Sequence, residues 1–303
     1  MRSRAVPAIA TGGRAAVVLA LTACGRIHFA ERQNPDAASD ATIDALGTCD
    51  VSAPFGVPVP IAELDDPTSN DGTLRLFADE LSGYFWSFRG AANSALYLAT
   101  RADLASPFSI TPVQGLGLTG NLLDPSFTSD GSVLVFRRSM PGDDLYEATR
   151  IAPDTFTAGT AIASLDTGAT EVQPFLSGDV LVFSSSRSGG GDLYTSTRTG
   201  TSFSAPSQIT ELATADDEGD PVLSPDGRTL YFRSDRPAAQ AGYNIFVAAR
   251  PTTADPFGAP DLVPNVSSDA DDGPSWISPD GCRLYISSDR AGTNDIYVST
   301  RGG

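Results

Sequence analysis

The sequence contains no lysine. All 20 basic residues are arginine, against 37 acidic residues, and the formal net charge is −17. Without lysine, the chain has neither a Schiff-base lysine nor the lysine of a P-loop. The strongly negative charge argues against nucleic acid as a partner, because nucleic-acid binding needs a basic surface.

Histidine, cysteine and long apolar runs are also scarce. The only histidine, His28, lies near the N-terminus. The rest of the chain therefore has no histidine for a Ser-His-Asp triad or a histidine-based zinc site. No loop has the ligand spacing of an EF-hand, so we predict no metal and no other cofactor. The apolar run at 15–23 is far shorter than the about 20 residues that span a bilayer.

The first 23 residues are organised like an export signal. Three arginines and no acid precede the apolar run, and Cys24 follows it. The segment LTACG around Cys24 resembles the lipobox of bacterial lipoproteins. This resemblance implies cleavage before Cys24, lipidation of Cys24, and membrane contact through the lipid anchor only. Gly25 then implies the outer membrane, facing the periplasm or the cell surface. The alternative is an ordinary signal peptide with a chance cysteine.

The chain divides into three predicted segments. Residues 1–23 are the signal peptide, and residues 24–54 are the lipidated cysteine followed by a disordered tether. The tether is rich in Ala, Asp, Ser and Pro and has too few large apolar residues to offset the entropy of ordering. Residues 55–303 form the folded domain.

The folded domain consists of five repeats of about 50 residues. Each repeat ends in an arginine that follows a strand-like run. The strand-like run before that one contains a recurring aromatic or aliphatic residue. Four residues after this apolar position an arginine recurs in four repeats, whereas repeat two has Met140. The repeats cover approximately 55–101, 102–150, 151–198, 199–250 and 251–301. The recurring arginines are Arg89, Arg187, Arg236 and Arg290.

Each repeat predicts four short strands, here named A to D. Asp-Gly pairs between apolar runs, as in SPDG at 224–227 and 278–281, are hairpin signals. One four-stranded sheet cannot bury both faces, but radial stacking of several sheets can. The chain enters on a D-type segment at Phe55 and leaves on a C-type segment ending at Arg301. We therefore predict an all-β, five-bladed β-propeller, rather than a six-bladed one, closed by an N-terminal strand.

Two repeats resemble a known family. PVLSPDGRTLYFRSDR…NIFVAAR and PSWISPDGCRLYISSDR…DIYVSTR resemble the WD40-like propeller repeat of TolB-type periplasmic proteins. The resemblance covers about residues 55–301 and implies a propeller with a role in envelope interactions. It also implies six blades and an additional domain, for which this chain has neither a sixth repeat nor room. The partners of TolB proteins are not transferable, because the residues that contact them are not identifiable here.

Two of the three cysteines are predicted to form a disulfide. Cys282 begins strand B of repeat five, and Cys49 lies six residues before the closing D strand. In an up-and-down blade the starts of strands B and D lie at the same end. We predict a Cys49–Cys282 disulfide that closes the ring in an oxidising compartment, worth about 4–5 kcal/mol in the chain-entropy model. The alternative is two free thiols.

Acids and arginines are predicted to gather at one mouth of the ring. The D–A and B–C connections share one face. The D–A connections are predicted to carry acids, including Asp124, Glu171 and Asp220, and the B–C connections begin at Asp-Arg pairs such as 235–236 and 289–290. The alternative is solvated acids and structural arginines, and the recurrence of the arginine favours a structural role for it. Trp86 departs from the repeat and either faces a ligand or fills a gap. The candidate ligand-facing residues are Asp66, Asp124, Glu171, Asp220, Asp272, Arg236, Arg290 and Trp86.

Two classes of function fit this pattern. The first is a non-catalytic, monomeric envelope lipoprotein whose propeller binds an envelope protein or a surface polymer. The second is a glycosidase-like propeller enzyme that uses funnel carboxylates such as Asp124, Glu171 and Asp220. A glycosidase needs two carboxyl groups about 5–9.5 Å apart across a sugar site. We predict the first class and no catalytic residues; a deep funnel with two inward carboxyls would favour the second.

Overall fold

The fold is built from short antiparallel strands that run in chain order. The computed structural model describes residues 49–139, 142–238 and 240–302. The predicted signal peptide, Cys24, the tether up to residue 48 and Met140 lie outside these residues. The described residues contain β-strands and no helix, and therefore no helix long and apolar enough to cross a membrane.

The strands form five antiparallel sheets, one after another along the chain. The strand bounds, in chain order, are β1 (Val59–Pro60); β2 (Asp71–Leu76), β3 (Ser82–Ser87), β4 (Ala95–Thr100) and β5 (Ser109–Pro112); β6 (Asn121–Phe127), β7 (Val133–Ser139), β8 (Asp143–Ala152), β9 (Thr155–Phe156) and β10 (Thr160–Ala161); β11 (Glu171–Ser177), β12 (Val180–Ser185), β13 (Asp192–Thr199), β14 (Ser202–Phe203) and β15 (Ser207–Gln208); β16 (Glu218–Leu223), β17 (Thr229–Ser234), β18 (Asn244–Ala249) and β19 (Asp261–Leu262); β20 (Asp272–Ile277), β21 (Arg283–Ser288) and β22 (Asp295–Thr300).

The five sheets are the blades of a propeller, and the N-terminal strand completes the last one. Blades one to four follow the chain, whereas blade five has the order β1-β22-β21-β20. Val59 in β1 lies opposite Val298 in β22. Cys49 and Cys282 form a disulfide with their Cα atoms 5.8 Å apart. The all-β fold, the five blades, the N-terminal closure and the disulfide are thereby confirmed.

The apolar core lies between neighbouring blades. Tyr84 and Leu96 of blade one pack in one cluster with Leu134 and Phe136 of blade two. The recurring apolar position of strand B is fully buried in every blade, because alternation along the strand turns it to the neighbouring sheet. Burial of each such side chain contributes about 1.5–3 kcal/mol. These residues are Phe85, Phe136, Phe183, Phe232 and Ile286.

The innermost strand of each blade has an irregularity at its third position. Its pairing with the second strand shifts register there, as in a β-bulge. Thr73, Asp124, Gln173 and Asp220 occupy this position with φ between 45° and 56°, a left-handed conformation that non-glycine residues rarely adopt. All four side chains line the central channel.

Candidate functional site

Four of the five blades contain the same buried ion pair. An acid at the start of the innermost strand pairs with the recurring arginine of strand B, and each acidic side chain is fully buried. In each pair the arginine Nε donates to a serine hydroxyl, and Nη2 donates to a carbonyl of the connection entering the blade. The pairs are Asp71–Arg89 (2.8 Å), Glu171–Arg187 (3.0 Å), Glu218–Arg236 (3.0 Å) and Asp272–Arg290.

These ion pairs correct part of the predicted ligand face. Glu171, Asp272, Arg236 and Arg290 were predicted to face a ligand, but their charges are compensated inside the blades. The recurrence of the arginine indicates a structural role. In each of these four blades it links strand B to the connection that enters the blade. In blade two Leu122 stands at the position of the acid, opposite Arg138, and Met140 stands at that of the arginine.

A funnel opens at the centre of the ring on the face that carries the D–A and B–C connections. Its volume is about 390 Å³, within the range of small-ligand sites, about 300–1,000 Å³. Its wall combines the third positions of the inner strands with facing residues of strand B and with connection residues at the rim. Among the residues of this wall are Thr73, Asp124, Gln173, Asp220, Trp86, Arg137, Arg233, Ser287 and Asn294.

Four acids line this funnel: Asp124 and Asp220 lie on inner strands, whereas Asp271 and Asp289 lie in connections at its rim. Asp124 is in β6 and Asp220 is in β16, so the prediction that they lie in connections is wrong. Asp124 Oδ1 accepts a hydrogen bond from the Thr73 hydroxyl at 3.1 Å. Asp124 Oδ2 lies 3.7 Å from Arg137 Nη1, and Asp220 Oδ2 lies 3.2 Å from Arg233 Nε. The inner strands thus present two carboxylates to the funnel, each with an arginine beside it.

Asp220 has the more perturbed environment of the two. Burial raises its pKa; Arg233 opposes this rise, and the nearby charge of Asp124 adds to it. Burial alone would lower the pKa of Arg233, but the neighbouring Asp220, Tyr243, Asp124 and Asp271 together outweigh this effect and the pKa is raised. Asp220 therefore binds a proton more readily than an ordinary aspartate, while Arg233 stays cationic.

Trp86 forms part of the funnel wall. Its indole Nε1 donates to Thr73 Oγ1 at 3.1 Å, which links it to Asp124 through the threonine hydroxyl. The half-buried ring packs edge-on against Phe88, with centroids 5.9 Å apart. Gly72 lies opposite on β2, where a Cβ atom would come within 2.6 Å of Trp86 Cζ2. The ring can lie here because residue 72 is glycine.

Asp66, the remaining candidate, lies outside the funnel. Its carboxylate accepts hydrogen bonds from the backbone and hydroxyl of Thr68. These bonds lower the pKa of Asp66. Asp66 therefore stabilises its own turn in the connection that enters blade one.

Sequence reasoning missed six of these funnel residues: Thr73, Arg137, Gln173, Arg233, Ser287 and Asn294. A usable signal exists for the two arginines. Each directly follows the buried aromatic of strand B, as Trp86 does, and alternation turns it to the other side of the strand. The inner-strand residues depend on the bulge, which leaves no mark in the residue types.

Two groups of acids bring carboxylate oxygens within 4.8 Å of one another, as a divalent cation would need. The first group is Asp65, Asp71 and Asp295; the second is Asp144, Asp166 and Glu171. One acid of each group is already paired with an arginine. Burial, reinforced by the neighbouring Asp65 carboxylate, raises the pKa of Asp295 to about 6.

No family model matches the chain, and no curated protein matches it. Similar solved structures include an endo-arabinase from Bacteroides thetaiotaomicron VPI-5482. It is 15% identical, with 82% of this chain and 98% of that chain covered and a TM-score of 0.57. They also include the catalytic domain of an α-L-arabinofuranosidase from Coprinopsis cinerea. It is 12% identical, with 83% and 98% covered and a TM-score of 0.52.

A TolB protein from Acinetobacter baumannii is also similar. It is 18% identical over 78% of this chain, with a TM-score of 0.48. The chain spans about half of that protein, since the match covers 55% of its length. At such identities these similarities concern the fold alone: the chain is a five-bladed β-propeller, and its structural neighbours include TolB proteins and glycoside-cleaving enzymes.

Proposed function

We propose that the chain is a lipid-anchored protein of the bacterial envelope whose propeller is a non-catalytic binding scaffold. Its ligand is the end of a neutral surface polymer, a glycan, held in the central funnel. The envelope location rests on the N-terminal signal and Cys24, and the binding role rests on the funnel. An envelope protein that inserts a polar loop into the same funnel is the other partner compatible with this scaffold.

The observation that carries the proposal is the mixture of groups in the funnel wall. Trp86 offers an apolar ring against which a sugar face can pack, as aromatic side chains do in binding sites. Gln173, Asn294 and Ser287 offer neutral donors and acceptors, and Asp124 with Arg137 offers charged ones. A polyol needs several hydrogen-bond partners and one apolar face, and this wall supplies both.

Glycan hydrolysis is the second candidate, and a specific observation supports it. Asp220 has a raised pKa caused first by burial, as a general acid requires, and Asp124 lies in the same funnel. In a glycosidase, Asp220 would protonate the leaving oxygen and Asp124 would act as base or nucleophile. The arginine beside Asp220 favours binding over this role, because its Nε lies 3.2 Å from the carboxylate that would have to donate the proton. Arg137 lies 3.7 Å from Asp124 and closer, at 2.7 Å, to Asp143.

The test is a glycan array probed with the purified protein, followed by calorimetry and a reducing-sugar assay on every glycan that binds. We expect saturable binding without release of reducing ends. Trp86→Ala should weaken binding by about tenfold or more, since loss of a stacked ring costs about 1–3 kcal/mol. Trp276→Phe is the matched control, because Trp276 lies on β20 outside the funnel wall.

The outcomes separate the two functions. Binding that depends on Trp86 without cleavage supports the scaffold. Release of reducing ends that is abolished by Asp220→Asn and by Asp124→Asn would replace it with the enzyme. If no glycan binds, the polymer proposal fails, and crosslinking in the envelope then tests the protein partner.

A further inference from the structure

A second cavity occupies the other end of the central channel. It opens between the A–B hairpins of the blades and has a volume of about 330 Å³. Its wall is formed by fifth-position residues of the inner strands and by hairpin residues, and most of them are apolar. We call it the hairpin cavity; its defining residues are Arg75, Ser126, Phe127, Phe175, Trp276 and Ile277.

One charged side chain lies in this apolar wall without a hydrogen-bonding partner. Arg75 is 2% exposed. Among the described residues, none accepts a hydrogen bond from its Nε, Nη1 or Nη2. The central carbon of the guanidinium lies over the Phe175 ring, 4.5 Å from its centroid. Burial of a charge without hydrogen bonds is costly, so an arginine in this place calls for a partner that the described residues do not provide.

The nearby acids do not meet this need. Asp124 and Asp220 act on Arg75 only through their charge, while their carboxylates lie against Arg137 and Arg233. Burial lowers the pKa of Arg75 to about 10, so it remains a cation at neutral pH. The hairpin cavity therefore combines an apolar wall with one positive charge that lacks a hydrogen-bonding counter-ion.

We propose that the hairpin cavity binds a small apolar monocarboxylate. The ligand's carboxylate accepts two parallel hydrogen bonds from the Arg75 guanidinium, whose planar fork matches a carboxylate. The hydrocarbon body packs against Phe175 and Trp276. A divalent cation is repelled by Arg75, and a sugar finds too few polar partners in this wall. The cavity volume lies at the small end of ligand sites, which selects an acid of modest size over a polymer.

The hairpin cavity and the funnel share no lining residue, although the charges of Asp124 and Asp220 act on Arg75. The funnel is polar and is lined by the third positions of the inner strands, whereas the hairpin cavity is lined by the fifth positions. The two tryptophans divide between them: Trp86 in the funnel wall and Trp276 in the hairpin cavity. Each can report on its own site by fluorescence.

The test titrates octanoate and octan-1-ol into the purified full-length Trp86→Phe variant, with Trp276 fluorescence as the readout. The two probes share a hydrocarbon body and differ in the charge of the head group. We expect octanoate to bind at least about tenfold more tightly than octan-1-ol, since hydrogen bonds to a charged group are worth about 1.5–3 kcal/mol. Equal affinity for both probes, or no binding of octanoate, overturns the proposal.

A variant locates the carboxylate. Arg75→Met should abolish the preference for octanoate, whereas Arg75→Lys should retain part of it because the cation remains. Octanoate selectivity that persists in Arg75→Met would place the ligand elsewhere and overturn the assignment. If Arg75→Met does not fold, the comparison of the two probes on the parent chain still decides between the outcomes.

Discussion

The guanidinium of Arg301 lies over the ring of Phe55, with its central carbon 3.9 Å from the ring centroid. Arg101 stacks on Phe108 and Arg250 on Phe257 in the same way, each on the phenylalanine that opens the following repeat. No repeat follows Arg301 in the ring, so it uses the phenylalanine that opens the first one. The joint between the last and first repeats therefore reproduces the joints between the others, and the disulfide reinforces it.

The disulfide should contribute strongly to stability. Replacement of Cys49 by serine removes the Cys49–Cys282 link, which joins residues 233 positions apart. We expect the free energy of unfolding to fall by about 2–5 kcal/mol. Denaturant unfolding measures this change. Cys24→Ser is the control, because it leaves the bridge intact; equal stability of Cys49→Ser and the parent protein under oxidising conditions would contradict the prediction.

The blade ion pairs make a paired prediction. Arg187→Met leaves the fully buried Glu171 without its counter-charge, so we expect a loss of about 3–5 kcal/mol. Glu171→Leu combined with Arg187→Met should recover most of this loss, because the repeat then carries the residues of repeat two, Leu122 and Met140. Denaturant midpoints of the two variants decide the point. A double variant as unstable as the single one would show that the ion pair itself is required.

Asp295 should make stability depend on pH. Its folded-state pKa of about 6 lies above the ordinary 3.8, so the folded protein holds this proton more tightly than the unfolded chain. The contribution is therefore complete below about pH 4 and is lost as the pH rises through about 6. Asp295→Asn should flatten the stability profile between pH 4 and 6 and stabilise the protein at pH 7.

The control for this profile is Asp226, whose environment has the opposite effect. Hydrogen bonds from the Ser224 hydroxyl and from Arg228 lower the pKa of Asp226 to about 2. Asp226→Asn should therefore leave the slope between pH 4 and 6 unchanged. A slope that survives in Asp295→Asn would assign it to another group.

Gly72→Ala should disturb the funnel wall without breaking the closure of the propeller. A Cβ atom at residue 72 would lie 2.6 Å from Trp86 Cζ2 and 2.7 Å from Asn294 Nδ2, so the indole must move. We expect a stability cost of about 1–3 kcal/mol, as for overpacking, together with a shift in Trp86 fluorescence measured in a Trp276→Phe background. Gly302→Ala, which meets nothing within 4 Å, is the control. An unchanged Trp86 spectrum would contradict this account.

The sequence predicts the fold well because each repeat contains local signals for its own strands and turns. Asp-Gly turns mark the hairpins, and the buried aromatic of strand B marks the face that packs against the neighbouring blade. The entry at Phe55 and the exit at Arg301 together predict closure by an N-terminal strand. The strand and turn signals are local, and their recurrence along the five repeats allows them to be recognised in the sequence.

The site is less predictable because it depends on where the inner strand deviates from regular pairing. Asp124 and Asp220 face the funnel because each lies in a β-bulge with a positive φ. The residue types around them do not predict a bulge at that position. Arg75 is hidden for another reason: its equivalents in the other blades are Ser126, Phe175, Val222 and Trp276, so no column of the repeat points to it. The candidate binding residues are those that differ from blade to blade at equivalent positions. A search for repeats finds only the residues that recur and therefore does not detect them.

The pairing of β1 with β22 also sets an order of events during folding. Blade five needs residues 59–60 and 272–300 together, so it cannot be completed until all five repeats have been synthesised. Until then the stack of blades exposes an unpaired strand edge and an open apolar side, the features that make folding intermediates prone to aggregation and proteolysis. Contacts between residues so distant in sequence also form slowly. The unpaired strand edge and the open apolar side therefore persist until the ring closes, and a chaperone would act on them before that step.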